Sequence, residues 1–474
     1  MLQSFQWTID EAEPRLPDHV DVLEQQFQQL KSTIHQQLVE SLDLSQVGQI
    51  DRDELSTEVW ALADEVCRSR EEILSQLDRE RLRDELMAEI FGVGPLEKLM
   101  ADPDVTDILV NDPYTVYVER RGRLEMTDVI FADNAHLMRI IQRIVARLGR
   151  RIDEVSPMVD ARLPDGSRVN AIVPPLALNG PTLSIRRFGA KPLDMTDLVA
   201  NSSLRGEMAH FLAALVQGRI GCLISGGTGA GKTTLLNAIS AYIPRDERLV
   251  TIEDSAELLL QHKHIVRLET RTANTEGMGE ITQRELVRNS LRMRPDRILV
   301  GEVRGPEVWD MLQAMNTGHE GSLTTIHANS ARDALARLEM MVAMTGFELP
   351  VAVVRQYIAS GIRFVIHVAR LKGGARRVMQ ISEIVDARNG NYHLEDVFGF
   401  EQLSVDAEGN VHGEFYATGY EPAALRRIRA AGIELSDDMF REKRFSPSDP
   451  FVSAPTRPPS GSGGQGRNGA ASRR

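Results

Sequence analysis

One stretch of eight residues constrains this chain more than any other. Gly226-Gly227-Thr228-Gly229-Ala230-Gly231-Lys232-Thr233 fits G-x-x-x-x-G-K-[ST], the phosphate-binding P-loop. An apolar run, Ile220 to Ser225, precedes it and reads as a buried strand. Thr234-Leu235-Leu236-Asn237-Ala238-Ile239 follows and reads as a helix. Glycines let successive backbone N–H groups converge on phosphate oxygens, and the helix N-terminus adds its partial positive charge. Gly226, Gly227, Thr228, Gly229, Ala230, Gly231, Lys232, Thr233 and Thr234 are therefore the expected nucleotide-binding residues. Lys232 reaches the β- and γ-phosphates, and the Thr233 hydroxyl faces Mg²⁺.

The pattern around the loop sets the fold class. From Leu204 to about Phe400, helix and strand signals alternate, which argues a parallel α/β sheet. Strands are expected at Ile220–Ser225, Leu249–Glu253, Ile265–Glu269, Ile298–Glu302, Ser322–His327 and Phe364–Ala369. The P-loop domain is placed at 204–444, after a linker at 191–203. Residues 81–190 read as a smaller α+β domain, with short β-type runs at Asp107–Asn111 and Thr115–Glu119 and a helix over Ala135–Leu148. Arg162–Val173 and Thr182–Phe188 return to strand. Residues 1–80 read as helical. Val20, Leu23, Phe27, Leu30, Ile34, Leu38 and Leu42 form one apolar stripe, and Leu55, Val59, Leu62, Val66 and Ile73 form another. Those helices serve either as a bundle packed on itself or as an arm for a partner. Residues 445–474, rich in Pro, Ser and Gly, have too few large apolar groups to offset the entropy of ordering and are expected to be disordered.

Hydrolysis of a nucleotide needs carboxylates near the γ-phosphate. Pro295-Asp296-Arg297-Ile298-Leu299-Val300-Gly301-Glu302 is an apolar strand ending in a carboxylate, with Gly301 where many P-loop proteins carry Asp. Glu302 then acts on water or on hydrated Mg²⁺. Thr251-Ile252-Glu253-Asp254 ends the strand after the P-loop helix, and strand C-termini face the ligand crevice of an open α/β sheet. The expected assignment is Glu302 as base, Glu253 as orienter of water, and Thr233, Asp254 and Glu302 around the metal. Thr317–Asn329 adds His319 and His327 to a Ser/Thr cluster, and His327 is the candidate phosphate sensor. Arg168 and Arg186, outside the P-loop domain, are candidates to neutralise phosphate charge in the transition state. Arg267, Arg271, Arg292 and Arg294 are weaker candidates.

Net charge is −13 over 474 residues, which disfavours non-specific nucleic-acid binding. The two cysteines, Cys67 and Cys222, have no metal-ligand spacing and indicate a reducing compartment. No apolar run reaches bilayer length, and the first residues lack an export signal. A cytoplasmic location is expected, with any membrane attachment supplied by partners.

Together these motifs resemble the secretion-motor ATPase superfamily of type II secretion, type IV pili and type IV secretion. Its Walker A, Asp box, Walker B and His box correspond to Gly226–Thr233, Glu253-Asp254, Gly301-Glu302 and Gly318–His327. Val93-Gly94-Pro95-Leu96, Val110-Asn111-Asp112, Val116-Tyr117-Val118-Glu119-Arg120, Arg267-Leu268-Glu269-Thr270-Arg271 and Gly318-His319-Glu320-Gly321-Ser322 resemble the CpaF-type ATPase of tight-adherence (Tad/Flp) pilus assembly. The resemblance implies a RecA-like domain, ATP and Mg²⁺ as cofactors, and a homohexamer whose arginines complete the site across an interface. It further implies docking beneath inner-membrane pilus platform proteins, acting indirectly on pilin. The absence of a tetracysteine zinc motif suits the Tad and type IV secretion branches. Type IV secretion is the alternative reading. A nucleic-acid translocase and a nucleotide-sensing subunit with little turnover fit less well, and no nucleic acid is expected as partner.

Overall fold

The computed structural model describes residues 24, 27–31, 33–34, 57, 61, 76–120, 122–187, 192–271, 273, 278–387, 391–407, 409–445 and 452–456. The chain divides into two compact units, Met1–Ala190 and Lys191–Arg474.

The first unit contains helices α1 (Gln76–Phe91), α2 (Glu97–Ala101) and α3 (Asn134–Arg147). Its strands are β1 (Val105–Asp112), β2 (Thr115–Arg120), β3 (Arg123–Met126), β4 (Met158–Arg162), β5 (Arg168–Ile172) and β6 (Thr182–Arg186). They form one antiparallel sheet in the order β3-β2-β1-β6-β5-β4. Alternation writes the inner face: Ile108 and Val110 of β1, Val116 and Val118 of β2, and Leu183 and Ile185 of β6 are buried. Against them α3 lays Leu137, Ile140, Ile141 and Ile144 at helical spacing. Asp133 caps α3 by accepting from the His136 N–H. The expected strand Arg162–Val173 is instead a hairpin, because Pro164-Asp165-Gly166 turns the chain between β4 and β5. Most of both N-terminal stripes lies outside the described residues. Phe27, Leu30 and Ile34 are described and buried, and buried Lys31 pairs with Glu85 at 3.0 Å and Glu89 at 3.1 Å on α1.

The second unit is a ten-stranded sheet in the order β16-β15-β14-β13-β12-β7-β11-β10-β8-β9. Strands β7 (Cys222–Gly226), β8 (Leu249–Glu253), β9 (Ile265–Glu269), β10 (Arg297–Val300), β11 (Leu323–His327) and β12 (Phe364–Arg370) run parallel. β13 (Arg376–Asp386), β14 (His393–Val405), β15 (Val411–Ala417) and β16 (Lys443–Phe445) extend it antiparallel. The helices are α4 (Met195–Ala200), α5 (Gly206–Gln217), α6 (Lys232–Ser240), α7 (Gln283–Ser290), α8 (Glu307–Asn316), α9 (Ala331–Ala343), α10 (Val351–Gly361) and α11 (Leu425–Ala430). The inner strands β7, β8 and β10 are buried along their whole length, whereas the edge strand β9 is partly exposed. Along β7, Cys222 and Ile224 enter one core and Leu223 the other. Burial raises the Cys222 thiol to about 12, which suits a core residue and no chemistry.

The mixed α/β class agrees with expectation, and the parallel strands fall within two residues of their expected bounds. Within the C-terminal segment 445–474, residues 452–456 are described and make contacts within the second unit. The carbonyl of Pro455 accepts from Tyr242 Oη at 2.7 Å, and that of Ser453 lies 3.1 Å from His210 Nε2. Backbone hydrogen bonding acts here together with Ala454, which packs against the core, and Val452, which lies against Gly206. No helix among the described residues is long and apolar enough to cross a membrane.

Candidate functional site

Three parallel strands end side by side at the site. β7 leads into the loop Gly226–Gly231, and its neighbours β11 and β12 pair His327 and Val368 with Gly226. Gly229 and Gly231 adopt φ of +68° and +97°, a region that L-side chains avoid. Those turns aim the loop at the start of α6, whose first residue is Lys232.

Lys232 is buried. Its Nζ donates to the Gly227 carbonyl at 3.0 Å and stands 3.3 Å from both ring nitrogens of His327. His327 Nε2 in turn lies 3.3 Å from Glu302 Oε1. Burial lowers the His327 pKa, Glu302 opposes the shift and Lys232 adds to it. The His327 ring thus stands between the P-loop lysine and the strand-end carboxylate.

Glu302 follows β10, and Glu253 ends β8, the adjacent strand. Arg304 ties the acids together. Its Nε donates to Glu302 Oε1 at 3.0 Å, and its Nη1 lies 3.3 Å from Asp254 Oδ2. Hydrogen bonding to Glu302 raises the Arg304 pKa. Burial raises the Asp254 pKa, with Arg304 pulling against it. Glu253 sits deeper. Its Oε2 accepts the backbone N–H groups of Glu257 at 2.7 Å and Leu258 at 2.8 Å. Its Oε1 is buried without a hydrogen-bond partner. Burial lifts its carboxyl to about 7 despite those two N–H donors.

The structure thus brings together Lys232, His327, Glu302 and Asp254, with Glu253 behind them. Arg168 and Arg186 belong to the first unit. They are Cα partners across β5 and β6, and Arg162 is the partner of Arg168 across β4. Three arginines therefore stand in one row of the sheet, where like charges directly opposite are unfavourable. Asp160 lies 3.6 Å from Arg168 and Asp107 lies 3.3 Å from Arg186. Of the weaker candidates, Arg271 donates to the Gly279 carbonyl at 2.6 Å, and Arg267, Arg292 and Arg294 are exposed.

Four residues at the site escaped the sequence reading. Arg304 is one. Arg376, at the start of β13, donates from Nε to the Gly229 carbonyl at 2.9 Å. Arg370, at the end of β12, brings Nη1 within 3.4 Å of where a Gly229 Cβ would stand. His367 Nδ1 lies 2.9 Å from Ser225 Oγ, just before the loop. Only the position of Arg304, two residues after the Gly-Glu pair, offered a signal in sequence.

A profile of the family described as type II/IV secretion system protein matches residues 89–394. A Mycobacterium tuberculosis protein that carries a conjugal-transfer name is 42% identical over 308 residues, covering 64% of this chain and 87% of its own length. The conjugal transfer protein TrbB of Rhizobium radiobacter is 33% identical over 307 residues, covering 64% and 91%. The type IV secretion system protein VirB11 of Brucella suis is 30% identical over 305 residues, covering 59% and 84%. Among solved structures, the Brucella suis VirB11 ATPase with sulphate is similar at 29% identity and a TM-score of 0.34, covering 62% of this chain and 97% of that one. The profile spans more than half of the chain and includes every strand-end residue of the site: the chain belongs to the type II/IV secretion system protein family.

Proposed function

We propose that this chain hydrolyses ATP and couples hydrolysis to the work of a pilus or secretion machine. The observation that carries the reading is the line Lys232–His327–Glu302, with a spacing of 3.3 Å at each step. It joins a phosphate-binding lysine to a carboxylate through a group able to report what occupies the γ-phosphate position.

The roles follow from the geometry. Loop N–H groups and Lys232 hold the β- and γ-phosphates. Glu302 takes the proton of the attacking water, and His327 holds Glu302 in register with Lys232. Glu253 orients the water network from below. Mg²⁺, when bound with the nucleotide, neutralises charge on the β- and γ-oxygens. In this reading Thr233 would hold it directly. Asp254 and Glu302 are held by Arg304, which suits contact with a hydrated ion. Among the described residues no group of three His, Cys, Asp or Glu forms a cage, and Mg²⁺ seldom uses one. The row Arg162, Arg168 and Arg186 has the charge to meet phosphate when subunits of a ring close on one another, and we assign it that role in a homohexamer.

The finer reading is a Tad/Flp pilus assembly motor acting beneath an inner-membrane platform, supported by the Gly318–Ser322 and Arg267–Arg271 motifs. A second reading, a type IV secretion or conjugal-transfer motor, is favoured by the names of the relatives above 30% identity. Purified full chain should hydrolyse ATP with Mg²⁺, and Glu302→Gln should bind ATP without turning it over. Deleting the gene and scoring piliation against conjugal or effector transfer separates the two machines. Absence of any ATP turnover, alone or with a platform's cytoplasmic domain, would sink both.

A further inference from the structure

The β12–β13 hairpin reaches the phosphate loop from the strand opposite β11. β7 lies between the two, so His327 and the end of β12 flank the loop on its two sides. Arg370 and Arg376 are Cα partners at the hairpin's end. The pairing places two guanidinium groups at one end of the hairpin. Both approach the same segment. Arg376 Nε donates to the Gly229 carbonyl at 2.9 Å, and its Cδ lies 3.4 Å from where a Gly231 Cβ would stand. Arg370 Nη1 lies 3.4 Å from the equivalent point at Gly229. The turn between them adds Lys372 and packs against the β14–β15 turn at Gly409. It is a braced wall rather than a loose loop.

We infer that this hairpin is a second wall of the phosphate site. Arg376 positions the loop through Gly229, and Arg370 supplies charge to the diphosphate portion of a nucleoside di- or triphosphate. The inference rests on the nucleotide reading above and deepens it. Its distinguishing consequence is a division of labour. The β11 side, with His327 and Glu302, meets the γ-phosphate and controls turnover. The hairpin side contacts what ADP and ATP share, so its loss weakens ground state and transition state alike. Such uniform binding changes KM and leaves kcat.

The test uses full-length protein and a fluorescent ADP analogue. Arg370→Gln and Arg376→Gln should each weaken ADP binding by about tenfold, the scale of one charge-assisted hydrogen bond. KM for ATP should rise in step, with kcat within about threefold of wild type. Arg376→Lys should recover most of the ADP affinity, because it keeps the charge and one donor. Apo melting temperatures report folding. If Arg376→Gln fails to fold, Arg370→Gln carries the same comparison, because it leaves the Arg376 bond to the Gly229 carbonyl in place. Wild-type ADP affinity in Arg370→Gln, or a kcat loss at unchanged KM, overturns the inference. If Lys232→Ala also keeps full turnover, the nucleotide reading itself has failed. If Lys232→Ala is inactive while the hairpin variants bind ADP normally, only the hairpin assignment falls.

Discussion

Glu253 lies against the bare Cα of Gly301: a Cβ added there would stand 2.9 Å from Glu253 Cγ. The glycine before Glu302 is thus the space that the neighbouring strand's carboxylate occupies. The position cannot hold an Asp while Glu253 keeps its place beneath it. Gly301→Ala should push Glu253 from its two backbone N–H donors. Stability should fall by about 1–3 kcal/mol, the usual cost of overpacking, and ATP turnover should fall with it. Thermal unfolding and steady-state hydrolysis of the variant check both.

The Glu253 carboxyl carries a pH signature. Burial raises it from 4.5 to about 7. Between those values the native state holds a proton that the unfolded chain has released. Stability is therefore lost as pH rises through the window, and the loss is complete above about 7. Glu253→Gln removes the charge, so its stability relative to wild type should improve between pH 5 and pH 8 by up to about 3 kcal/mol. Unfolding curves at the two pH values give the difference. A constant offset would mean that Glu253 ionises as an ordinary carboxylate.

Glu302→Gln keeps shape and loses basicity. Turnover should drop by about 10²-fold or more, the usual scale for a general base, while ATP affinity stays within a few-fold. Equilibrium binding beside single-turnover hydrolysis separates the two effects. If Glu302→Gln is active and Glu253→Gln is inactive, the base is Glu253.

Much of the site was legible because each motif sits at the end of its own parallel strand. The P-loop follows β7, Glu253 ends β8, Glu302 follows β10 and His327 ends β11. Strand C-termini of an open parallel sheet share one edge, so alternation of elements sufficed to bring these residues together. Arg370 and Arg376 were not legible. Their approach depends on β12 lying beside β7, an order fixed by long-range pairing that no local pattern reports. The role of Gly301 was hidden for the same reason, since β8 and β10 become neighbours only in the sheet. The β4–β5 hairpin was missed because one apolar-alternating run covered it, although Pro164-Asp165-Gly166 marks the turn. The contacts of 453 and 455 use backbone carbonyls, which composition does not display.

Arg186→Ala should reduce turnover by about 10³-fold if its guanidinium reaches phosphate across a subunit boundary. Mixing Arg186→Ala with Lys232→Ala should then restore part of the activity, because a mixed interface pairs one intact loop with one intact arginine. No recovery on mixing, with Arg186→Ala near wild type alone, would leave the row a feature of the sheet only.

The central claim is that Lys232 binds the phosphates of a nucleotide that this chain hydrolyses, and steady-state ATP hydrolysis by Lys232→Ala tests it most directly. The lysine contacts Gly227 and His327 at the loop; its loss should leave the melting temperature within a few degrees of wild type and remove nearly all Mg²⁺-dependent turnover. A folded Lys232→Ala protein with wild-type turnover would contradict the account.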